Sequence, residues 1–159
     1  MAAPGVVLLG DRRFADELAD AGVTVAPVTS AADVDAAVAA LRADGSSAVF
    51  VLGVGASARD AFLQGSREDV AGVIGIDGSP PVEEARAGRI RTPVVAVYAG
   101  DAADDAKAFA EALAGAGVLQ ETVVYDDVEP GFVERGTPRE ACDDAWRLAR
   151  RFMGVAGRR

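Results

Sequence analysis

The chain contains no histidine. That absence removes imidazole metal ligands, imidazole general bases and every catalytic triad in which a histidine carries the proton. A lone cysteine, Cys142, excludes an internal disulfide and fits a reducing compartment. With Asp143 and Asp144 beside it, its thiol is expected to be unreactive. Aromatic residues make up only 6% of the sequence, so the core has to be built mainly from Ala, Val, Leu and Ile. Long apolar runs are also missing: stretches such as Ala48–Gly55 fall far below the roughly 20 residues of a membrane-spanning helix. Basic residues are outnumbered 16 to 25 by acidic ones, for a formal charge of -9, and the acids are spread along the chain. A field of that sign repels phosphate backbones and anionic lipid, so nucleic-acid and membrane partners are not expected. Met1-Ala2-Ala3-Pro4 lacks the basic region and apolar stretch of a signal peptide, and a cytoplasmic location is expected.

What is present is a 159-residue sequence, 50% hydrophobic, sufficient for one ordinary core. Short β-rich runs alternate with helical patterns, with no repeat or linker between them, which predicts a single α/β domain over residues 1–159. The predicted strands are Val6–Leu9, Val23–Val28, Ala48–Leu52, Val70–Ile76, Pro93–Tyr98 and Glu121–Tyr125. Their continuous apolar character suits a parallel sheet covered on both faces, with Ala48–Leu52 most central. Asp11 and Ser30 are expected to cap the first two helices. Thr137, Pro138 and Glu140 together predict a capping box at the start of the last helix. In a doubly wound sheet ligands bind at the carboxyl ends of the strands, so the loops after Leu9, Leu52, Ile76, Tyr98 and Tyr125 are the ones that carry function.

Three stretches of the C-terminal half have a recognisable pattern. Asp69–Gly78 is a strand ending in Asp77-Gly78, Arg89–Val95 leads into a second strand that ends in Tyr98-Ala99-Gly100-Asp101, and Val124-Tyr125 is followed by Pro130-Gly131-Phe132. Over roughly residues 5–153 the chain resembles the dienelactone hydrolase family of the α/β-hydrolase fold. The resemblance implies a doubly wound, mostly parallel sheet of about six strands with helices on both faces. It also places the family's acid at Asp101 and the family's histidine position at Pro130, which has no side-chain proton chemistry. Glu129 is adjacent, but a carboxylate is a weak base toward a hydroxyl or thiol. The nucleophile turn falls on Gly53-Val54-Gly55-Ala56-Ser57-Ala58-Arg59, with either Gly55 or Ser57 at the nucleophile position. The loop after the first strand, which the family uses for an oxyanion-hole amide, is shortened to Gly10-Asp11-Arg12-Arg13.

The residues themselves leave several readings open. Ser57, Asp101 and, more weakly, Glu129 are vestigial catalytic candidates; Ser57 is otherwise a turn residue and Asp101 a helix cap. Gly10, Arg12, Gly55, Asp77 and Pro130 are candidates for contacting a ligand. Gly53-x-Gly55-x-x-Ala58 followed by Asp77 also approximates a dinucleotide fingerprint, although it sits on the third strand and not the first. Asp101, Asp104 and Asp105, or Asp126, Asp127 and Glu129, could approach a hard cation, but acidic loops are usually just solvated, and no metal or cofactor is expected. The reading that follows is a catalytically degenerate family member acting as a small-molecule or protein-binding pseudoenzyme, with its oligomeric state open. The alternatives are an active ester or lactone hydrolase with a histidine-free site at Ser57 and Asp101, and a Rossmann-like nucleotide binder. A scaffold role would require exposed apolar surface near Trp146, Phe152 or Phe132.

Overall fold

In the computed structural model, residues 2–155 are described; the outermost residues of the domain expected over 1–159 lie outside them. The strands are β1 (Gly5–Leu9), β2 (Thr24–Val28), β3 (Val49–Val54), β4 (Gly72–Ile76), β5 (Val94–Ala99) and β6 (Gln120–Tyr125). They form one six-stranded sheet in the order β2-β1-β3-β4-β5-β6, and every pairing is parallel. The expected fold class is therefore the observed one, with a fully parallel sheet. β1, β3, β4 and β5 are buried along their whole length, which is why they read as unbroken apolar runs. The edge strands β2 and β6 are only partly covered, and Pro27 in β2 lacks the N–H that a further strand would need there.

Helices α1 (Ala15–Asp20), α6 (Phe132–Arg135) and α7 (Arg139–Phe152) cover one face of the sheet. Helices α2 (Val34–Ala43), α3 (Ala58–Leu63), α4 (Val82–Arg86) and α5 (Ala103–Gly115) cover the other. Alternate residues of each strand supply the two cores: Val6, Leu52, Ile74 and Val97 on the first side, Val7, Val51, Val73 and Tyr98 on the second. With so few aromatics, each is placed at a layer junction. Phe62 meets Phe109 between α3 and α5 at 4.9 Å, Phe14 meets Trp146 at 5.4 Å, and Phe50 meets Phe152 at 5.5 Å. Trp146 and Phe132 are buried, and the exposed large hydrophobic side chain among the described residues is Leu119, so the apolar surface a scaffold role needs is not formed by these residues.

Asp11 accepts from the Arg13 N–H and Ser30 from the Ala32 N–H, as their positions predict, though each caps a 3₁₀ turn that leads into the α-helix. The capping box at α7 does not form. Pro138 is extended (ψ 142°) and itself occupies the cap, which leaves Thr137 one position too far back and without a side-chain cap bond. The sequence pattern also predicts a helix from about Ala103 to Ala114 with Ala106, Phe109, Ala110 and Leu113 inward; it is α5, in which Ala106, Phe109 and Leu113 are buried and Ala110 only partly so. Helices α4 and α6 carry too few residues to show a periodic pattern and are not evident in the sequence.

The α3 layer lies so close to the sheet that Gly75 is the only residue that fits opposite Phe62. A Cβ at Gly75 would sit 2.5 Å from Phe62 Cε2 and 2.7 Å from Cε1, and Phe62 is itself fully buried. Gly75→Ala is expected to push the ring off its packing and to destabilise the protein by about 1–3 kcal/mol in a urea titration. An unchanged midpoint would mean that the α3 layer has slack.

Candidate functional site

The carboxyl ends of β3, β4, β5 and the loop after β6 converge on one side of the sheet, beside the switch point between β1 and β3. At the end of β3 the chain enters a 3₁₀ turn, Gly55–Ser57, and then α3. Gly55 has φ +62°, in the region that glycine enters without steric cost, and it is buried. It is therefore Gly55, and not Ser57, that stands at the apex of the strand-to-helix turn. A Cβ on Gly55 would collide with Oε1 of Glu134, from α6. The carboxylate of Glu134 thus occupies the volume into which an apex side chain would project.

Ser57 lies two residues further on, with its Oγ against the backbone of Gly10 at the end of β1. No hydrogen-bond partner accompanies its hydroxyl among the described residues. Gly10 has φ +98° and donates its N–H to Val28 C=O at 3.0 Å, which holds the short loop after β1 against β2. Arg12 follows in the 3₁₀ turn and is exposed. The structure thus brings Gly10 to Ser57 on one side of the switch point, while Arg12 is not among the residues that line the cleft described below.

Asp77, Gly78, Ser79, Tyr98, Ala99, Asp101, Ala102 and Pro130 line a cleft of about 160 Å3 between the ends of β4 and β5. Larger surface grooves exist, including one of about 490 Å3 between α1 and α7. The smaller cleft is the one at the carboxyl ends of adjacent parallel strands, and it unites three positions that the sequence singles out separately, Asp77, Asp101 and Pro130. Two of these, Asp101 and Pro130, are the acid and histidine positions of the resemblance. Asp101 is exposed and makes no cap hydrogen bond with the helix it precedes, so the capping role open to it in the sequence is not the one it performs. Glu129 is exposed and outside the cleft; only its carbonyl is engaged, accepting from Arg135 at 3.3 Å.

Asp77 is the least ordinary residue of the site. It is half-buried, has φ +62° without being glycine, and its Oδ2 accepts the Gly131 N–H at 2.5 Å. That bond ties the end of β4 to the loop after β6, which Arg135 also staples through a 2.6 Å bond to Pro130 C=O. Burial pushes the Asp77 carboxyl above its usual range, with the charges of Glu134 and Asp101 adding to the effect; the Gly131 bond and Arg135 oppose it. Glu134 carries no signal in the sequence as a site residue. Its role follows from the three-dimensional return of α6 onto the β3 turn.

Cys142 is buried, donates its thiol to Phe132 C=O at 3.2 Å, and has its pKa raised chiefly by burial and then by Asp143. It takes no part in the cleft. Among the described residues no group of three acidic, cysteine or histidine side chains is arranged to hold a metal ion, and no helix is long and apolar enough to cross a membrane.

A model of the dienelactone hydrolase family matches residues 10–156. Among solved structures, a candidate dienelactone hydrolase from Klebsiella pneumoniae superposes with a TM-score of 0.82 at 17% identity, covering 96% of this chain and 87% of that one. The dienelactone hydrolase of Anabaena variabilis gives 0.70 at 16%, covering 98% and 88%. Brefeldin A esterase, a bacterial homologue of human hormone-sensitive lipase, gives 0.76 at 17%, covering 96% and 68%. At these identities the likeness concerns the fold. No protein of curated function matches the chain by sequence.

The raised pKa of Asp77 has a defined consequence for stability. The folded protein holds the Asp77 proton more tightly than the unfolded chain, so this group favours folding below the ordinary carboxylate range, and that contribution is lost as pH rises through the folded value. Asn tolerates the left-handed conformation and its side-chain oxygen can still accept from Gly131. Asp77→Asn is therefore expected to raise the melting temperature at pH 7, with the advantage shrinking toward pH 4; an advantage that is equal or larger at pH 4 would contradict the assignment.

Proposed function

The chain belongs to the dienelactone hydrolase family, and from that premise we propose that it is a non-hydrolytic member that binds a small molecule in the cleft at the carboxyl ends of β4 and β5. The observation that carries this reading is the Gly55 apex with the Glu134 carboxylate above it. A nucleophile elbow works because its apex side chain is thrust into the site and is activated by a neighbouring base. Here the apex has no side chain, the base position is Pro130, and the chain has no histidine to serve from elsewhere. An acid at Asp101 then has no imidazole to orient.

The rival in which Ser57 acts as nucleophile meets a geometric obstacle. Its hydroxyl is turned toward Gly10, with no carboxylate or amine bonded to it among the described residues. The nucleotide-binding alternative meets an electrostatic one. In a dinucleotide site the amides at the helix start face pyrophosphate, and at this turn the space is taken by an anionic side chain. If the chain does turn over a substrate, its family and the esterases that share its fold point to an ester or lactone. The composition suits a cytoplasmic protein of this kind.

Turnover of p-nitrophenyl acetate and of a dienelactone by the purified protein is expected to stay at the uncatalysed rate, and to be the same in Ser57→Ala and Asp101→Asn. Hydrolysis by the wild-type protein that disappears in either variant would overturn the proposal.

A further inference from the structure

The two edges of the sheet are not alike. On β2, Thr24 N–H and Val28 C=O bond to Pro4 and Gly10 at the ends of β1, so Val25 and Pro27 are the residues that turn outward, and Pro27 has no N–H to offer. On β6, Val94 N–H donates to Leu119 C=O at 3.0 Å, so the odd-numbered residues bond to β5 while Gln120, Thr122 and Val124 turn both N–H and C=O outward. Among the described residues no strand pairs with that edge, and β6 contains no proline. Its one charge, Glu121, is taken up by Arg151 at 2.6 Å. Leu119, at 77% exposure, stands immediately before it. Such an edge is a template for a further strand.

An open edge does not by itself choose its partner, but the charges beside it do. Glu140, Asp144, Arg147 and Arg151 recur at helical spacing along one flank of α7. Asp144 accepts from the Tyr125 hydroxyl, and Glu140 lines a groove with Tyr125, so the acidic half lies at the carboxyl end of β6. Arg151 reaches Glu121 at the other end. The flank is therefore acidic at one end of β6 and basic at the other, and it complements itself when reversed.

We propose that the outer edge of β6 pairs antiparallel with the same edge of a second copy, about a two-fold axis at Thr122. Centring on Thr122 sets Gln120 opposite the partner's Val124, so all three outward residues exchange backbone bonds. Glu121 then faces Val123 and not its own copy, which avoids like charges in direct opposition. Leu119 meets the partner's Tyr125, and the acidic end of each α7 flank approaches the basic end of the other. The contact is isologous and closes at two chains. It is separate from the binding reading, since β6 does not line the cleft.

Sedimentation equilibrium of the purified protein over a range of concentrations is expected to give a dimer that dissociates on dilution, and more readily as salt is raised. Thr122→Pro removes an N–H that β5 does not use, and Leu119→Glu alters an exposed side chain, so both variants are expected to fold, as matched melting curves would show. Each is expected to raise the dissociation constant by about tenfold or more. A monomer at every concentration overturns the proposal and leaves the edge to a different chain. A dimer equally tight in both folded variants, or a mass that keeps growing past two chains, overturns it as well.

Discussion

Where β3 turns into α3, the backbone packs against itself at the limit of van der Waals contact, and that turn places the rest of the site. A Cβ at Gly53 would strike the carbonyl of Ser57, and one at Gly78 would strike the carbonyl of Gly55. The end of β3, the start of α3 and the loop after β4 can therefore meet only because these positions carry no side chain. Gly55 then takes the left-handed apex between them. In an active hydrolase the strain of such a turn is what exposes the nucleophile. In this chain the same backbone is kept without a side chain at its apex, and Glu134 fills the space.

Electrostatics follow from that replacement. Half-burial raises the proton affinity of Asp77, and the charge of the Glu134 side chain that sits over the turn adds to the effect. The Gly131 N–H partly compensates, and in doing so fixes the loop that carries Pro130. Most ion pairs elsewhere, such as Arg86 with Glu83 or Arg139 with Asp143, are exposed and contribute about 0–1 kcal/mol each. Arg67 is different. It is largely covered and bridges Asp35 of α2 and Asp69 ahead of β4, so it fastens the helix layer to the connection between two central strands.

The sheet was legible in the sequence because buried parallel strands are apolar on both faces. Val6–Leu9 and Ala48–Leu52 announce themselves without any alternation, and only their ends shift by a residue or two in the structure. The site was legible in part. Asp77 could be picked out because it lies just beyond a strand, and Asp101 and Pro130 because the family resemblance marks their positions; the structure gathers all three into one cleft. The choice between Gly55 and Ser57 at the apex could not be made from spacing, since G-x-G-x-S accommodates both; the positive φ of Gly55 decides it. Glu134 was invisible because α6 is four residues long and its return to the β3 turn is purely tertiary. Thr137 misled because Pro138 stays extended, although the local sequence fits a capping box.

The central claim is that this family scaffold presents no nucleophile at its elbow. Intact-mass spectrometry after exposure to a fluorophosphonate, which labels activated serines whether or not a substrate is turned over, tests it most directly. The account predicts no mass gain on the folded protein. A stoichiometric adduct mapped to Ser57 would contradict it.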